Sequence, residues 1–373
     1  MVDLFGMHLT RQQLEASVGR LDQIGGILPF ELCDGQARGV RAFRFTTGTG
    51  LTVTSLADRA LDLAHAEYQG VPLCWRSLNG DAAPEYYDPD DDRWLRMFFG
   101  GLMTTCGLTN FGPAGHDRYG TFGLHGRVDC LPAHDVRWSM DWQGDDCVFE
   151  VRGTVSQTRV FGENLDLQRR LHTRLGSTSL WVEDTVINKG SSRTPHMILY
   201  HCNGGFPILA EGSELHVSHS EMRPRDAEAE KGIDVWNRAA APQANFAEQV
   251  FIHTPISCAD GRAAVALVNR SLRDGQGLGV SIHFDPQELP ALFQWRMLGE
   301  GTYVMGMEPA NCPTIEGREE AGRRGTLPFI EPGESRRYRL EFRVLSSRQD
   351  IDDIVRQIDE TNRGVDPIIA RHP

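Results

Sequence analysis

Residues 136–160 read VRWSMDWQGDDCVFEVRGTVSQTRV, and residues 165–190 read LDLQRRLHTRLGSTSLWVEDTVINKG. In the first stretch two β-rich runs flank Gly144-Asp145-Asp146, a turn signal between paired strands. The second repeats the arrangement, with turns at Gly176-Ser177 and at Asn188-Lys189-Gly190. Hairpins in succession with no helical pattern between them point to antiparallel pairing rather than βαβ units. Similar runs lie upstream at 39–46, 51–55 and 61–68. Others follow at 197–202, 215–217, 249–253, 263–269, 279–284, 292–297 and 303–308, and a last one at 336–344 follows the Pro332-Gly333 turn. Short strands at this spacing predict an all-β fold, a large antiparallel β-sandwich.

The ends of the chain differ. Thr10-Arg11-Gln12-Gln13 resembles a capping box, and Leu14, Val18 and Leu21 follow at helical spacing, so a short helix is expected over about residues 10–22, closed by Gly25-Gly26. Ser347 with Asp350 caps a second expected helix whose apolar positions are Ile351, Ile354, Val355 and Ile358. The expected organisation is an N-terminal helical extension (1–26), one β-sandwich carrying the site (27–345), and a C-terminal helix and tail (346–373). No repeat, low-complexity run or shift in composition divides the middle.

Composition narrows the partners. The 373 residues carry 38 basic and 51 acidic side chains, a net charge of −13. Nucleic acid and anionic membranes need a basic face, so both are excluded as expected partners. No apolar run approaches the ~18 residues of a membrane span, and the first residues lack the basic-then-apolar pattern of a signal peptide. Eight cysteines occur without a CxxC pair, which suits a reducing, cytoplasmic setting without structural disulfides.

The candidate site begins in residues 99–127, FGGLMTTCGLTNFGPAGHDRYGTFGLHGR, where eight glycines let backbone approach a ligand closely. It closes on His125-Gly126-Arg127. Two later stretches match it in character: 200–207, YHCNGGFP, and 306–311, GMEPAN. The expectation is that His125, His201 and Glu308 meet in one cleft. A His and a carboxylate together are the minimum for moving two protons on a neutral substrate, and apolar neighbours around Glu308 would raise its pKa toward that of a general base. The other strand histidines, among them His65, His196, His219 and His253, are expected to be satisfied structural residues. No GxSxG, GxGxxG or P-loop occurs, so a serine nucleophile and the common nucleotide cofactors are not signalled. No compact metal motif such as HExxH is present, and no cofactor is expected, although two His and a Glu are ordinary metal ligands. Arg59 between Asp58 and Asp62, Asn110, Arg127 and Asn203 are candidates for binding hydroxyls. Trp75 and Trp94, flanking the acidic loop 81–92, are candidates for stacking on a sugar ring or for core packing.

These residues sit in segments that carry a resemblance: ADRALDLAHAEYQGVPLCW (57–75), GGLMTTCGLTNFGP (100–113), GLHGR (123–127), LYHCNGGFPIL (199–209) and GMEPAN (306–311). Together they resemble the aldose 1-epimerase (galactose mutarotase)-like superfamily, and more closely a bacterial branch of unknown function. The resemblance implies the same β-sandwich and a small carbohydrate substrate. It also implies a Glu base and a His acid: Glu308 would take the proton of the anomeric hydroxyl, His201 would protonate the ring oxygen, and His125 would bind a hydroxyl or share developing charge. The superfamily's early Asn-Arg pair has only Asp58-Arg59 or the Asn110 region as a counterpart in this sequence. A metal-dependent lyase or isomerase of a modified sugar and a non-catalytic sugar-binding protein are the alternatives. A homodimer formed through exposed strand edges is compatible with the fold.

Overall fold

A computed structural model describes residues 1–371, and three sheets carry most of the architecture. The eight-stranded sheet is built outward from the successive hairpins of residues 134–188. His134–Gln143, Asp146–Thr158, Asn164–Arg174 and Ser179–Asn188 lie side by side in chain order, all antiparallel. In the last three of these, burial alternates along the strand, as expected where one face of a sheet meets the core. Ser335–Leu345, Leu278–Phe284, Ala263–Asn269 and Glu214–Val217 complete it.

The seven-stranded sheet packs on that inner face. Its order is Ile368–Ile369, His219–Pro224, Gln249–Pro255, Ala291–Gly299, Thr302–Ala310, Met197–Gly205 and Thr104–Leu108. Its central strands are buried along nearly their whole length. Tyr200, Cys202, Met305 and Met307 point into the main core, which they share with Phe149, Leu267 and Val280 of the other sheet. The alternate residues point to the opposite face, where a smaller cluster containing Trp94 and Phe98 covers them. A five-stranded sheet, Gly26–Glu31 through Val71–Pro72, extends the sandwich.

The three sheets meet at one buried polar knot. Arg169 donates to Asp184 of its own sheet (2.9 and 2.6 Å), to Asp62 of the five-stranded sheet (2.6 Å) and to Thr105 of the seven-stranded sheet (2.8 Å). The Tyr200 hydroxyl also donates to Asp184 (2.8 Å), and the Asp62 carboxylate accepts from the Thr105 N–H and hydroxyl (2.8 and 2.6 Å).

Both end helices form, with one correction. The Thr10–Gln13 capping box is present, but the helix runs only over Arg11–Ser17. β-Branched Val18 is already extended and Gly19 follows, and both favour termination there; a separate 3-10 turn spans Leu21–Gln23. A small hairpin of Val2–Leu4 with Met7–Leu9, unmarked in the sequence pattern, precedes it. Arg348–Arg363 is capped by the Ser347 side chain and buries Ile351, Ile354 and Ile358. All eight cysteines are free, seven of them buried. Among the described residues no helix is long and apolar enough to cross a membrane.

Candidate active site

The register of two central strands creates the site. Thr302–Ala310 pairs with Met197–Gly205 so that Leu199 faces Ala310 and Cys202 faces Met307. The same register sets His201 opposite Glu308, and on the face away from the main core. Glu308 Oε1 lies 3.2 Å from His201 Nε2, and both side chains are almost wholly buried. The approach is not aligned as a hydrogen bond: Glu308 Oε1 and His201 Nδ1 have no hydrogen-bond partner. Gly306 makes room for this geometry, because a Cβ there would stand 2.4 Å from Glu308 Oε1 and 2.8 Å from the Trp295 Cβ.

The Gly-rich stretch supplies His125. Its ring centre is 5.8 Å from that of His201 and 4.7 Å from the Trp94 ring. His125 has a φ of 56°, an uncommon left-handed conformation for a side chain this large. Two backbone bonds hold it there, His125 N–H to the Gly112 carbonyl (2.8 Å) and Gly107 N–H to the His125 carbonyl (2.9 Å). The Gly112 N–H also donates to His125 Nδ1 at 3.3 Å, which leaves the ring proton on Nε2. Gly112 is confined to glycine at a φ of 80°, since a Cβ would meet the Ile315 carbonyl at 2.0 Å.

These groups open into a cavity of about 290 Å³, near the small end of ordinary ligand sites (about 300–1,000 Å³). Its walls are largely aromatic: Phe98 lies 4.8 Å and Trp295 5.3 Å from the His201 ring, centre to centre. At the more exposed rim, Glu248 accepts from Arg225 (3.1 Å) and from the Trp295 indole (2.8 Å). Burial sets the protonation states. It pushes the Glu308 carboxyl well above its ordinary range, with Glu248 adding to the effect. It depresses His201 to about 3, helped by His125, and depresses His125 to about 4.

His125, His201, Glu308 and Trp94 are therefore brought together, and four other candidates are placed elsewhere. Arg59 is fully buried, and all three of its side-chain nitrogens donate to protein acceptors on Asp129, Ala82 and Met97 (2.6–3.0 Å). It does not line the cavity; it braces Asp129, which accepts from the Trp94 indole at 3.0 Å. Asn110 clamps backbone, accepting from Arg318 N–H (2.9 Å) and donating to Gly123 (3.0 Å) and Pro113 (3.3 Å). Arg127 faces a separate cavity behind the His125 loop and donates to the Thr158 carbonyl (2.7 Å). Trp75 stands behind the wall, against Phe98 and Trp295. Asn203 lies beside His201 and ties the strand to Gly101, its amide donating to the His201 and Gly101 carbonyls (2.8 and 3.1 Å) while Oδ1 is left without a partner.

Phe98, Trp295, Arg225 and Glu248 carry no mark in the sequence that singles them out as site residues. Phe98 directly precedes the Gly-rich stretch, and Trp295 is the cross-strand partner of Gly306. Arg225 and Glu248 flank the strands His219–Pro224 and Gln249–Pro255 and share no motif. A larger concavity of about 630 Å³ lies on the five-stranded sheet, but its His65 and Arg76 are both paired with Asp81. Among the described residues, no group of three or more His, Cys, Asp or Glu is placed to hold a metal ion.

Residues 37–344 match the family model described as a domain of unknown function, DUF4432. The chain belongs to this family. No protein of curated function matches it at a significant level. Among solved structures, a Klebsiella pneumoniae protein named a "putative aldose 1-epimerase" superimposes with a TM-score of 0.87 at 23% identity, over 98% of this chain and 94% of that one. A galactose mutarotase-like protein of Clostridium acetobutylicum (TM-score 0.56, 13% identity) and galactose 1-epimerase of Lactobacillus acidophilus (TM-score 0.54, 14% identity) each cover 86% of this chain, and 99% and 98% of their own lengths. The DUF4432 chain thus has the galactose mutarotase-like β-sandwich.

Proposed function

We propose that this DUF4432 protein is a cofactor-independent mutarotase that interconverts the anomers of a free sugar. The observation that carries the reading is the buried Glu308–His201 pair, 3.2 Å apart at the floor of a cavity of monosaccharide size. Ring opening removes a proton from the anomeric hydroxyl and adds one to the ring oxygen. A carboxylate and an imidazolium do both, and afterwards stand as carboxylic acid and neutral imidazole. Burial raises Glu308 and depresses His201, and so favours that second state, neutral on both groups. Both forms carry one proton between them, and closure on the other face of the aldehyde restores the first. No net exchange with solvent is needed in a turnover.

The remaining groups have supporting roles. The Nε2–H of neutral His125 is a fixed donor for an oxygen on the reacting end. Trp94, Phe98 and Trp295 offer apolar faces to a sugar ring and exclude water. Arg225 and Glu248 at the rim suit a pair of hydroxyls far from the anomeric carbon. A metal-dependent lyase is not favoured, because the two His and the Glu do not form a converging ligand set. Polarimetry on freshly dissolved α-anomers tests the proposal. Wild type should speed the approach to equilibrium, and His201→Asn should lose about 10²-fold or more of that acceleration. Equal acceleration by the variant would remove His201 from the mechanism.

A further inference from the structure

The hydrogen-bonding groups of the cavity sit at two ends. Glu308, His201 and His125 form the deeply buried floor, while Arg225 and Glu248 keep 27% and 48% of their side-chain surface exposed at the rim. The polar side-chain groups of the wall between them already have protein partners. The Trp94 indole N–H is taken by Asp129 (3.0 Å) and that of Trp295 by Glu248 (2.8 Å). The Gly112 N–H and carbonyl are both spent on His125, and the Pro113 carbonyl accepts from Asn110. The other side chains of the wall are hydrocarbon: Leu95, Phe98, Leu124, Val250 and Ile315.

On the mutarotase reading, which this inference rests on, a pyranose enters with C1 and its ring oxygen at the floor. C3 and C4, across the ring, then reach the rim. The C5 substituent is attached one bond from the ring oxygen, so it lies against the apolar wall. A hydroxymethyl oxygen placed there leaves water without a partner, whereas a methyl group buries apolar surface. We infer that the site selects 6-deoxyhexopyranoses, sugars whose C5 carries a methyl group, over the parent hexoses. A hydrophobic pocket rejects an added hydroxyl by up to about 10²-fold, so the expected preference in kcat/KM is about ten- to a hundred-fold.

Three matched pairs test this on the wild-type protein: 6-deoxygalactose with galactose, 6-deoxyglucose with glucose, and 6-deoxymannose with mannose. Anomer exchange is read by NMR saturation transfer, and binding by titration of the same samples. Faster exchange and tighter binding of the deoxy member in the pair that the enzyme uses best is the expected result. Equal or better handling of the parent hexose in that pair would overturn the selectivity and leave mutarotation standing. Deoxy-selective binding without exchange would do the reverse. No binding of any of the six sugars would overturn both.

Discussion

The Arg169 knot and the Glu308 cavity are two polar clusters buried to the same depth, and they handle their hydrogen bonds in opposite ways. Around Arg169 the carboxylates, the guanidinium and two hydroxyls all meet protein partners, and the residues come from three sheets. Burial lifts the Asp62 carboxyl to about 6 in spite of Arg169, yet the bonds hold the knot in place. Around Glu308 the buried Glu308 Oε1, His201 Nδ1 and Asn203 Oδ1 lack partners, and Glu308 and His201 line a cavity. Unpaired buried polar atoms are rare because each costs about 1–3 kcal/mol. The first cluster uses its hydrogen-bonding capacity within the protein; the second leaves part of it unused, as the proposed sugar site requires.

Breaking each cluster should separate the two roles. Arg169→Met leaves Asp62 and Asp184 buried without their cation, and the expected loss is about 3–5 kcal/mol in urea unfolding. A loss below ~1 kcal/mol would remove the knot as the tie between the sheets. Gly306→Ala acts on the other cluster. The new Cβ would stand 2.4 Å from Glu308 Oε1, so the carboxylate must move. Displacement on the order of 1 Å costs about 10²-fold in rate, seen in kcat with the fold retained by circular dichroism. An unchanged kcat would mean that the carboxylate position in this structure is not the working one.

Acid should weaken the fold through the second cluster. His125 and His201 are held neutral, with values of about 4 and 3 in the folded protein against about 6.5 in the unfolded chain. Their stabilisation is complete above pH ~6.5 and is lost as pH falls through that value toward the folded ones. Glu308 has the opposite sign: its raised pKa favours the fold at low pH, and that part is lost as pH rises. His201→Asn should therefore flatten the fall of the urea midpoint between pH ~6.5 and ~4, and an unchanged slope would contradict the neutral assignment. The smallest effect is expected for Arg127→Ala. Arg127 faces away from the site and is one-third exposed, so stability should stay within ~0.5 kcal/mol and KM for the sugar should not move. A raised KM would put Arg127 back in the binding site.

Much of this was legible in the sequence, and unevenly so. Alternate burial writes itself into alternate residues in the hairpins of residues 146–188, whereas the strands of the site, buried on both faces, read as short apolar runs between turn signals. His125, His201 and Glu308 stood out as polar residues in Gly-rich, low-charge stretches, although His201 lies at the middle of its strand, Glu308 within its own and His125 in a turn. Arg59 misled, since a cation beside two carboxylates reads alike whether it meets a sugar or braces Asp129 from behind. Glu248 and Arg225 were invisible for a different reason. They are brought together by the order of strands in the sheet, which no local pattern records. Trp295 became a site residue only through its register with Gly306.

The most direct measurement is anomer exchange by NMR saturation transfer, comparing wild type with Glu308→Gln. The amide keeps the shape of the side chain and cannot accept the anomeric proton. The expected result is rapid exchange with wild type on at least one free sugar, loss of that exchange in the variant, and unfolding of the variant at the wild-type urea midpoint or above it. Undiminished exchange with Glu308→Gln, or none with well-folded wild type on any aldose tested, would contradict proton transfer by the Glu308–His201 pair.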